Sequence, residues 1–251
     1  MNVGIFAAYE AGHEIVKYFI EKKKEIICLV LDSKDREGWN KKILKKWPSK
    51  NIFYSNDLYK KDIIQRMQSL KIDLIILAWW PHIIKKSLFK ISRLGFLNMH
   101  PSFLPYNRGK HYYFWNIAEQ APFGVSLHFI NEKIDSGDIA FQKRIKTGWE
   151  DTGFTLRERS RHEILELFKT KFGAIMAGRI PRIKQHLDKG TFHIGKDIEK
   201  ASKIELNKKY TSRELINILR ARSGFPYGGA WFQEGGGKYE INIKIKRVRD
   251  G

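Results

Sequence analysis

The stretch IDLIILA, Ile72–Ala78, is apolar apart from one aspartate. A run of this kind is typical of a strand that is buried on both faces of a parallel sheet. Earlier apolar runs at Val3–Ala8 and Ile26–Leu31 and a later one at Gly95–His100 have the same character, and mixed or helically spaced segments separate them. This alternation predicts an α/β fold built on an open, Rossmann-like sheet with helices on both faces.

The rest of the chain adds further elements and a small C-terminal part. Trp231-Phe232 and the alternating segment Tyr239–Ile245, with glycines at 235–237 between them, predict a β-hairpin whose second strand is half buried. We therefore expect a catalytic domain over 1–185 and a small α+β appendage over 186–251. The other expected elements are helices over 12–22, 58–70, 83–91, 111–118, 154–177 and 211–222, strands over 123–130 and 139–145, and an irregular segment over 185–209.

Composition narrows the function classes. The 251 residues include no charge-free apolar run of membrane-spanning length, and the N-terminus lacks the features of a secretory signal. Because Cys28 is the one cysteine, the chain can form no internal disulfide, which fits a cytoplasmic protein. The net charge is +20, but the basic residues are scattered along the sequence, which disfavours nucleic acid as the partner. The sequence also lacks the closely spaced glycines of dinucleotide-binding and P-loop proteins.

Polar residues follow one of the expected strands at the place where such folds carry their chemistry. Active sites of open α/β sheets lie beyond the carboxyl ends of the strands, and the strand over 95–100 ends with Asn98 and His100. An imidazole, with an ordinary pKa of about 6.5, can exchange protons near neutral pH. A side-chain amide can donate a hydrogen bond to a developing oxyanion. His100, His111 and His128 could instead be metal ligands, but the sequence lacks compact zinc-ligand spacing, so we expect no metal.

Two segments together resemble one enzyme family. Asn98-Met99-His100-Pro101-Ser102-Phe103-Leu104-Pro105, followed downstream by Asp135-Ser136-Gly137-Asp138, is similar to the catalytic signature of the folate-dependent formyltransferases. The resemblance implies an enzyme of the formyltransferase fold with 10-formyltetrahydrofolate as co-substrate. It implies that Asn98 holds the oxyanion, that His100 relays protons and that Asp135 orients His100. It also implies a folate pocket formed by Trp80, Pro81, Ile83 and Ile84, with Asn131, Ile134 and Asp138 on its other wall.

Within that family, Arg108-Gly109 and the short C-terminal part resemble the branch that formylates nucleotide-linked amino sugars. The purine-precursor branch usually lacks the Arg-Gly pair, and the initiator-tRNA branch normally carries a full C-terminal barrel. We therefore expect the acceptor to be the amine of a dTDP- or UDP-linked 4-amino-4,6-dideoxy sugar, used for surface polysaccharide or glycan synthesis. The candidate acceptor-binding residues are Tyr9, Arg108, Gly109, Lys110 and Tyr227.

Two alternatives to this function stay open. One is an enzyme like methionyl-tRNA formyltransferase, which shares the Arg-Gly pair and is strongly basic. The other is a catalytically inactive protein that binds folate or a sugar nucleotide. If the chain is a sugar N-formyltransferase, its expected partners are the nucleotide-linked amino sugar and tetrahydrofolate, and no membrane is expected to take part. The aromatic residues of the appendage are compatible with a homodimer.

Overall fold

The computed structural model describes residues 1–47, 51–225 and 228–248. Tyr227, a candidate for acceptor binding, lies outside the described residues. The chain divides into two compact units: unit 1 comprises 1–100, 127–141 and 164–184, and unit 2 comprises 101–126, 142–163 and 185–251. The last segment of unit 2 begins at Gln185, but unit 2 also contains two earlier segments. The expected division into domains 1–185 and 186–251 stays a prediction.

The regular elements alternate between strands and helices over the first 100 residues, and beyond them some strands follow one another directly. The strands are β1 (Val3–Ala7), β2 (Cys28–Leu31), β3 (Ile52–Tyr54), β4 (Leu74–Ala78), β5 (Phe96–His100), β6 (Arg108–Gly109), β7 (Gly124–Phe129), β8 (Ile139–Arg144), β9 (Phe192–His193), β10 (Ala230–Glu234) and β11 (Gly237–Ile241). The α-helices are α1 (Tyr9–Glu21), α2 (Trp39–Lys46), α3 (Lys61–Ser69), α4 (Tyr112–Ala118), α5 (Gly153–Met176), α6 (Asp197–Ala201) and α7 (Ser212–Arg222). Short 3-10 helices cover Lys86–Ile91 and Leu187–Lys189.

Seven of the strands form one sheet in the spatial order β3-β2-β1-β4-β5-β7-β8. The first five in that order pair in parallel. The N–H groups of Phe129 and Ile145 donate to the carbonyls of Asp138 and Phe123, so β7 is antiparallel to β8. The N–H of Ile130 donates to the carbonyl of Phe96 and the side chains of His128 and Asn98 are in contact, so β7 is also antiparallel to β5. The expected α/β class is thereby confirmed, with strand order reversing between β1 and β4, where ligand crevices form in such sheets.

The apolar strands of unit 1 form its core because both faces of the parallel sheet are covered. Every residue of β1 and of β4 is buried. Phe6 packs edge-on against both Phe96 and Trp80, with ring centroids 5.7 and 5.2 Å apart. One aromatic cluster therefore joins β1, β5 and the loop after β4. This packing holds the carboxyl ends of β4 and β5 in place, and Trp79 and His100 lie at those ends.

Most expected elements are confirmed, with bounds shifted by a few residues, and three differences stand out. The sequence reading missed β3 and α2, and it was wrong to treat 185–209 as irregular throughout, since β9, α6 and a 3-10 turn lie there. The hairpin is confirmed, but β11 ends at Ile241. The residues after Ile241 form no strand, but buried and exposed side chains still alternate there: Ile243 and Ile245 are half-buried, and the lysines between and after them are exposed. None of the described helices combines the length and the apolarity needed to cross a membrane.

Candidate active site

Asn98, His100 and Asp135, the predicted catalytic residues, all lie in unit 1. β5 carries Asn98 and His100 two residues apart, and the loop between β7 and β8 carries Asp135. The Nδ1 atom of His100 lies 3.6 Å from Oδ2 of Asp135, and His100 is 6% exposed. At this separation the carboxylate can stabilise a charged imidazole, and a shift of a few tenths of an ångström would bring the two groups into hydrogen-bond contact.

His128 is a fourth polar residue of this cluster, and it connects the other members. Its Nδ1 lies 2.7 Å from the carbonyl oxygen of Phe129, an acceptor, so Nδ1 carries the hydrogen and donates. Its Nε2 then accepts a hydrogen bond from the amide Nδ2 of Asn98 at 3.1 Å and lies 3.6 Å from Oδ1 of Asp135. His128 therefore fixes the orientation of the Asn98 amide and is itself fully buried.

The sequence reading named His128 only as a possible metal ligand and missed its contact with Asn98. The available signal was a histidine inside the buried strand β7, but only the pairing of β5 with β7 brings it opposite Asn98. Donor atoms of His100, His128 and Asp135 lie within 4.8 Å of one another, so these three could also hold a metal ion. His111 is not part of that group, and the expected absence of a metal stays a prediction.

The turn that presents Asp135 is held by its own side chains. Asp135 has a φ of +48°, in the left-handed region that aspartate tolerates better than most residues. The Oδ1 atom of Asn131 accepts hydrogen bonds from the backbone N–H of Lys133 and from the hydroxyl of Ser136. A side chain at Gly137 would approach the carbonyl oxygen of Phe129 to 2.1 Å, so only glycine allows the turn to close against β7.

The residues predicted to hold folate also lie in unit 1, on two loops. Ile83 is 73% exposed and Ile134 is 47% exposed, unusual values for large aliphatic side chains. Trp80 packs on Phe6, and its buried Nε1–H has no hydrogen-bond partner among the described residues. Ile84 is buried in the core instead. Pro81 is exposed, and the carbonyl of Asp138 accepts the sheet hydrogen bond from Phe129.

The loop after β4 is fixed from β2 and from the chain that follows β3. The Nε2 atom of His82 lies 2.8 Å from Oδ1 of Asp32, a carboxylate that is 4% exposed. The same oxygen accepts hydrogen bonds from the hydroxyl of Ser55 and the backbone N–H of Lys34. Burial alone would raise the pKa of Asp32, but the hydrogen bonds outweigh it and the pKa is lowered. The Tyr59 hydroxyl donates to the carbonyl of Ile83 and accepts from the N–H of Lys85.

In unit 2, the Arg108-Gly109 pair is β6, and it forms a short parallel ladder with β9. The backbone N–H of Arg108 donates to Thr191, and that of Lys110 donates to His193. A side chain at Gly109 would approach the carbonyl oxygen of His193 to 2.2 Å. The buried Nε–H of Arg108 has no hydrogen-bond partner among the described residues.

His193 anchors this ladder from its other side. Its ring stacks on Trp115 with centroids 3.8 Å apart and an interplanar angle of 7°. Its Nε2 lies 2.9 Å from a carboxylate oxygen of Glu119, at an angle that does not form a hydrogen bond, so the contact is an ion pair when His193 is protonated. The segment 187–193 thus ties the Arg108–Lys110 stretch to α4.

Tyr9, the remaining described candidate for acceptor binding, begins α1 at the carboxyl end of β1. It has a φ of +55° and is 42% exposed. Partial burial raises the pKa of its hydroxyl, with smaller contributions from the charges of Asp32 and Glu37, so the phenol stays protonated and can donate. Its part in acceptor binding stays a prediction.

Comparison with known proteins places the sequence in a family context. The Formyl transferase family profile matches residues 4–170, and the profile of the N-formyltransferase dimerization C-terminal domain matches residues 197–247. A methionyl-tRNA formyltransferase of Alkaliphilus oremlandii is 23% identical over 89% of this chain and 70% of its own length. A dTDP-4-amino-4,6-dideoxyglucose formyltransferase of Mycobacterium bovis is 30% identical over 57% of this chain and 60% of its own length.

Solved structures share the fold at low identity. A sugar N-formyltransferase from Shewanella superposes with a TM-score of 0.81 at 20% identity and covers 99% of both chains. An N-formyltransferase from Helicobacter canadensis, solved with folinic acid and dTDP-3-aminofucose, has a TM-score of 0.73 at 21% identity over 94% of this chain and 85% of its own. At these identities the similarity establishes the architecture.

Proposed function

We propose that this chain, which belongs to the formyl transferase family, formylates the amine of a nucleotide-linked amino sugar with 10-formyltetrahydrofolate as donor. The acceptor is a dTDP- or UDP-linked 4-amino-4,6-dideoxy sugar destined for surface polysaccharide or glycan. The observation that carries this choice is the match of residues 197–247 to the N-formyltransferase dimerization domain, because the sugar and tRNA branches were expected to differ in that part of the chain.

The unit 1 cluster supplies what formyl transfer requires. The acceptor nitrogen forms a bond to the formyl carbon while the bond from that carbon to the folate nitrogen breaks. His100 takes the proton of the amine and returns a proton to the leaving nitrogen, and Asp135 stabilises the imidazolium between these steps. Asn98 directs one amide hydrogen to His128, which leaves its second hydrogen to stabilise the developing oxyanion.

The folate donor fits the two loops of unit 1. Its ring system needs apolar contact, and the loops offer the exposed side chains of Ile83 and Ile134. The donor supplies the activated formyl group. The chain's own contribution is a loop held in place by His82 and Tyr59, so little conformational freedom is lost when the donor binds.

The acceptor fits the Arg108–Lys110 stretch. A sugar nucleotide carries a diphosphate, and arginine guanidinium groups bind phosphate oxygens through paired N–H donors. The side chain of Arg108 is half-buried, and its backbone is already fixed by β9. Lys110 is exposed and can add a second positive charge.

A second candidate function is formylation of a charged initiator tRNA. The similarity to methionyl-tRNA formyltransferase extends over 89% of this chain, farther than the similarity to the mycobacterial sugar enzyme. The net charge of +20 also suits a polyanionic acceptor. This candidate requires that residues 197–247 take over the role of a different C-terminal domain.

An acceptor assay distinguishes the candidates. Purified protein is incubated with 10-formyltetrahydrofolate and a panel of dTDP- and UDP-linked amino sugars, with charged initiator tRNA in parallel, and each acceptor is analysed by mass spectrometry. We expect one formyl group on a sugar nucleotide and none on tRNA. Formylation of tRNA alone would contradict the sugar assignment. Folate binding without any product on a complete panel would instead indicate the inactive binding protein.

We also propose that the chain forms a homodimer through the β10–β11 hairpin. Phe232 and Tyr239 stack on this hairpin with centroids 5.1 Å apart, and Tyr239 is 52% exposed. Analytical ultracentrifugation should give the dimer mass for the wild type and a monomer-shifted equilibrium for Tyr239→Glu, with Lys238→Glu as the charge control. A wild-type monomer at all concentrations would refute the proposal.

A further inference from the structure

Unit 2 contains a pocket that no step of the proposed reaction uses. Its volume is about 230 Å³, and it lies among the end of α4, the loop after β8 and α7. The residues that carry the argument are Gln120, Thr147, Trp149, Arg213 and Arg220. No acidic side chain is among the described residues that line it.

The pocket carries two positive charges next to one aromatic ring. The guanidinium carbons of Arg213 and Arg220 lie 4.8 and 5.0 Å from the ring centroid of Trp149. Asp151, whose charge acts on Arg220, is also bound by Arg159, whose Nη1 lies 2.8 and 2.9 Å from its two carboxylate oxygens. Two guanidinium groups therefore line the pocket, and no carboxylate is among the described residues that line it.

The two arginines differ in how firmly they are held. Arg220 donates through Nε to Asn217 and through Nη1 to backbone carbonyls at Gly148 and Asp151, and its Nη2 has no hydrogen-bond partner among the described residues. Burial lowers its pKa, so the folded chain holds a guanidinium at an electrostatic cost that an anion would relieve. Arg213 is exposed, and its guanidinium packs on the ring of Trp149.

We infer that this pocket is a binding site for a phosphate-bearing anion, in which Arg213 and the Nη2 group of Arg220 bind the phosphate oxygens. A hydrogen-bonded, partly desolvated guanidinium beside a second, exposed one is a suitable arrangement for a bidentate oxyanion. The amide of Gln120 and the hydroxyl of Thr147 can bind further oxygens. The source of the phosphate is either inorganic diphosphate or the diphosphate of a nucleotide, and both present the same chemistry.

The test places a reporter at the pocket. Full-length protein is labelled with 5-fluorotryptophan, and the ¹⁹F resonance of Trp149 is assigned with Trp149→Phe. Titration with sodium diphosphate should shift that resonance saturably. Arg213→Gln should weaken the apparent affinity at least about tenfold. The matched control Arg179→Gln, which removes an exposed arginine of unit 1, should leave the affinity unchanged.

Further arms separate this site from the proposed catalytic function. Arg108→Gln should impair sugar formylation without changing the Trp149 titration, so each proposal can fail alone. Titration with dTDP or UDP identifies the source: tighter binding than diphosphate indicates a nucleotide, and equal binding indicates the diphosphate group itself. A Trp149 resonance that does not respond to any of these anions, or responds equally in Arg213→Gln, would overturn the inference.

Discussion

At the scale of single residues, Asp135 is the most informative position to change. Asn is tolerated at a φ of +48°, so Asp135→Asn should keep the turn while removing the negative charge beside His100. We expect kcat for formyl transfer to fall about 10²- to 10⁴-fold, as for loss of general acid–base assistance. Steady-state kinetics give kcat, and circular dichroism and the melting temperature report the fold. The exposed Asp188→Asn is the matched control, and wild-type turnover in Asp135→Asn would refute the assigned role.

Asp32 gives a prediction about stability and pH. Hydrogen bonds from His82, Ser55 and Lys34 lower its pKa in the folded state below the ordinary 3.8. The stabilisation is therefore fully present above pH 3.8 and is lost as the pH falls through the lowered pKa. Asp32→Asn should reduce the free energy of unfolding at pH 7 by about 1.5–3 kcal/mol, the range for hydrogen bonds to a charged group.

Urea denaturation across pH tests this expectation. The difference in the free energy of unfolding between wild type and Asp32→Asn should become smaller as the pH falls below 3.8. The control Asp57→Asn removes a partly exposed carboxylate paired with Lys60 and should change stability much less. A gap that stays constant down to the acid limit would mean that the ionised carboxylate is not what stabilises the loop.

The catalytic residues show how far residue-level reading of the sequence extends. Asn98 and His100 could be proposed because they end an apolar strand, and their chemistry is visible in their side chains. Asp135 could be placed beside them only through a family resemblance, since loop closure is not encoded locally. The contact between His128 and Asn98 depends on the register of β7 against β5, which no short-range pattern specifies.

At the scale of elements, the strand pair β6–β9 positions the proposed acceptor site. Removing the ring of His193 takes away its stack on Trp115 and its contact with Glu119, while the backbone ladder remains. We expect His193→Ala to raise KM for the sugar nucleotide about fivefold to tenfold, a loss of about 1–1.4 kcal/mol. KM for the folate donor and kcat should change less than twofold, because the unit 1 cluster is intact.

Initial-rate kinetics with each substrate varied in turn measure this separation. The control His186→Ala removes an exposed histidine from the same segment. Equal increases in both KM values, or a fall in kcat alone, would show that His193 acts on general stability and not on the Arg108–Lys110 stretch. A melting temperature for each variant completes the comparison.

The missed elements have a physical explanation. β3 has only three residues, of which Phe53 alone is buried, so it shows neither a long apolar run nor a clear alternation. α2 presents one buried residue, Ile43, among four lysines, and its helical period is therefore almost invisible. β9 exists because its backbone pairs with Arg108-Gly109, a tertiary contact rather than a local preference. By contrast, the start of α7 is recognisable in the sequence, because Thr211 and Glu214 have the spacing of a capping box.

At the scale of the whole molecule, the charge of +20 makes the salt dependence of acceptor binding informative, because a sugar nucleotide and a tRNA should respond differently to salt. A sugar nucleotide meets the chain through one diphosphate, so few ions are released on binding. A tRNA would release one ion for almost every phosphate neutralised, and its affinity would fall steeply with salt. Much of the positive charge lies on exposed lysines such as those of α2 and of the segment after β11, where solvent and salt screen it.

We therefore expect KM for the sugar nucleotide to rise with a log–log slope against salt of no more than about 2, the number of charges on a diphosphate contact. Initial rates between about 50 and 200 mM salt measure it, with KM for the folate donor as the internal reference. Arg108→Gln should reduce the slope by about 1, because it removes one phosphate contact, whereas Arg179→Gln should not change it. A steep slope that Arg108→Gln leaves unaltered would place the acceptor on the general basic surface and favour tRNA, since only a long polyanion can use charges so widely distributed.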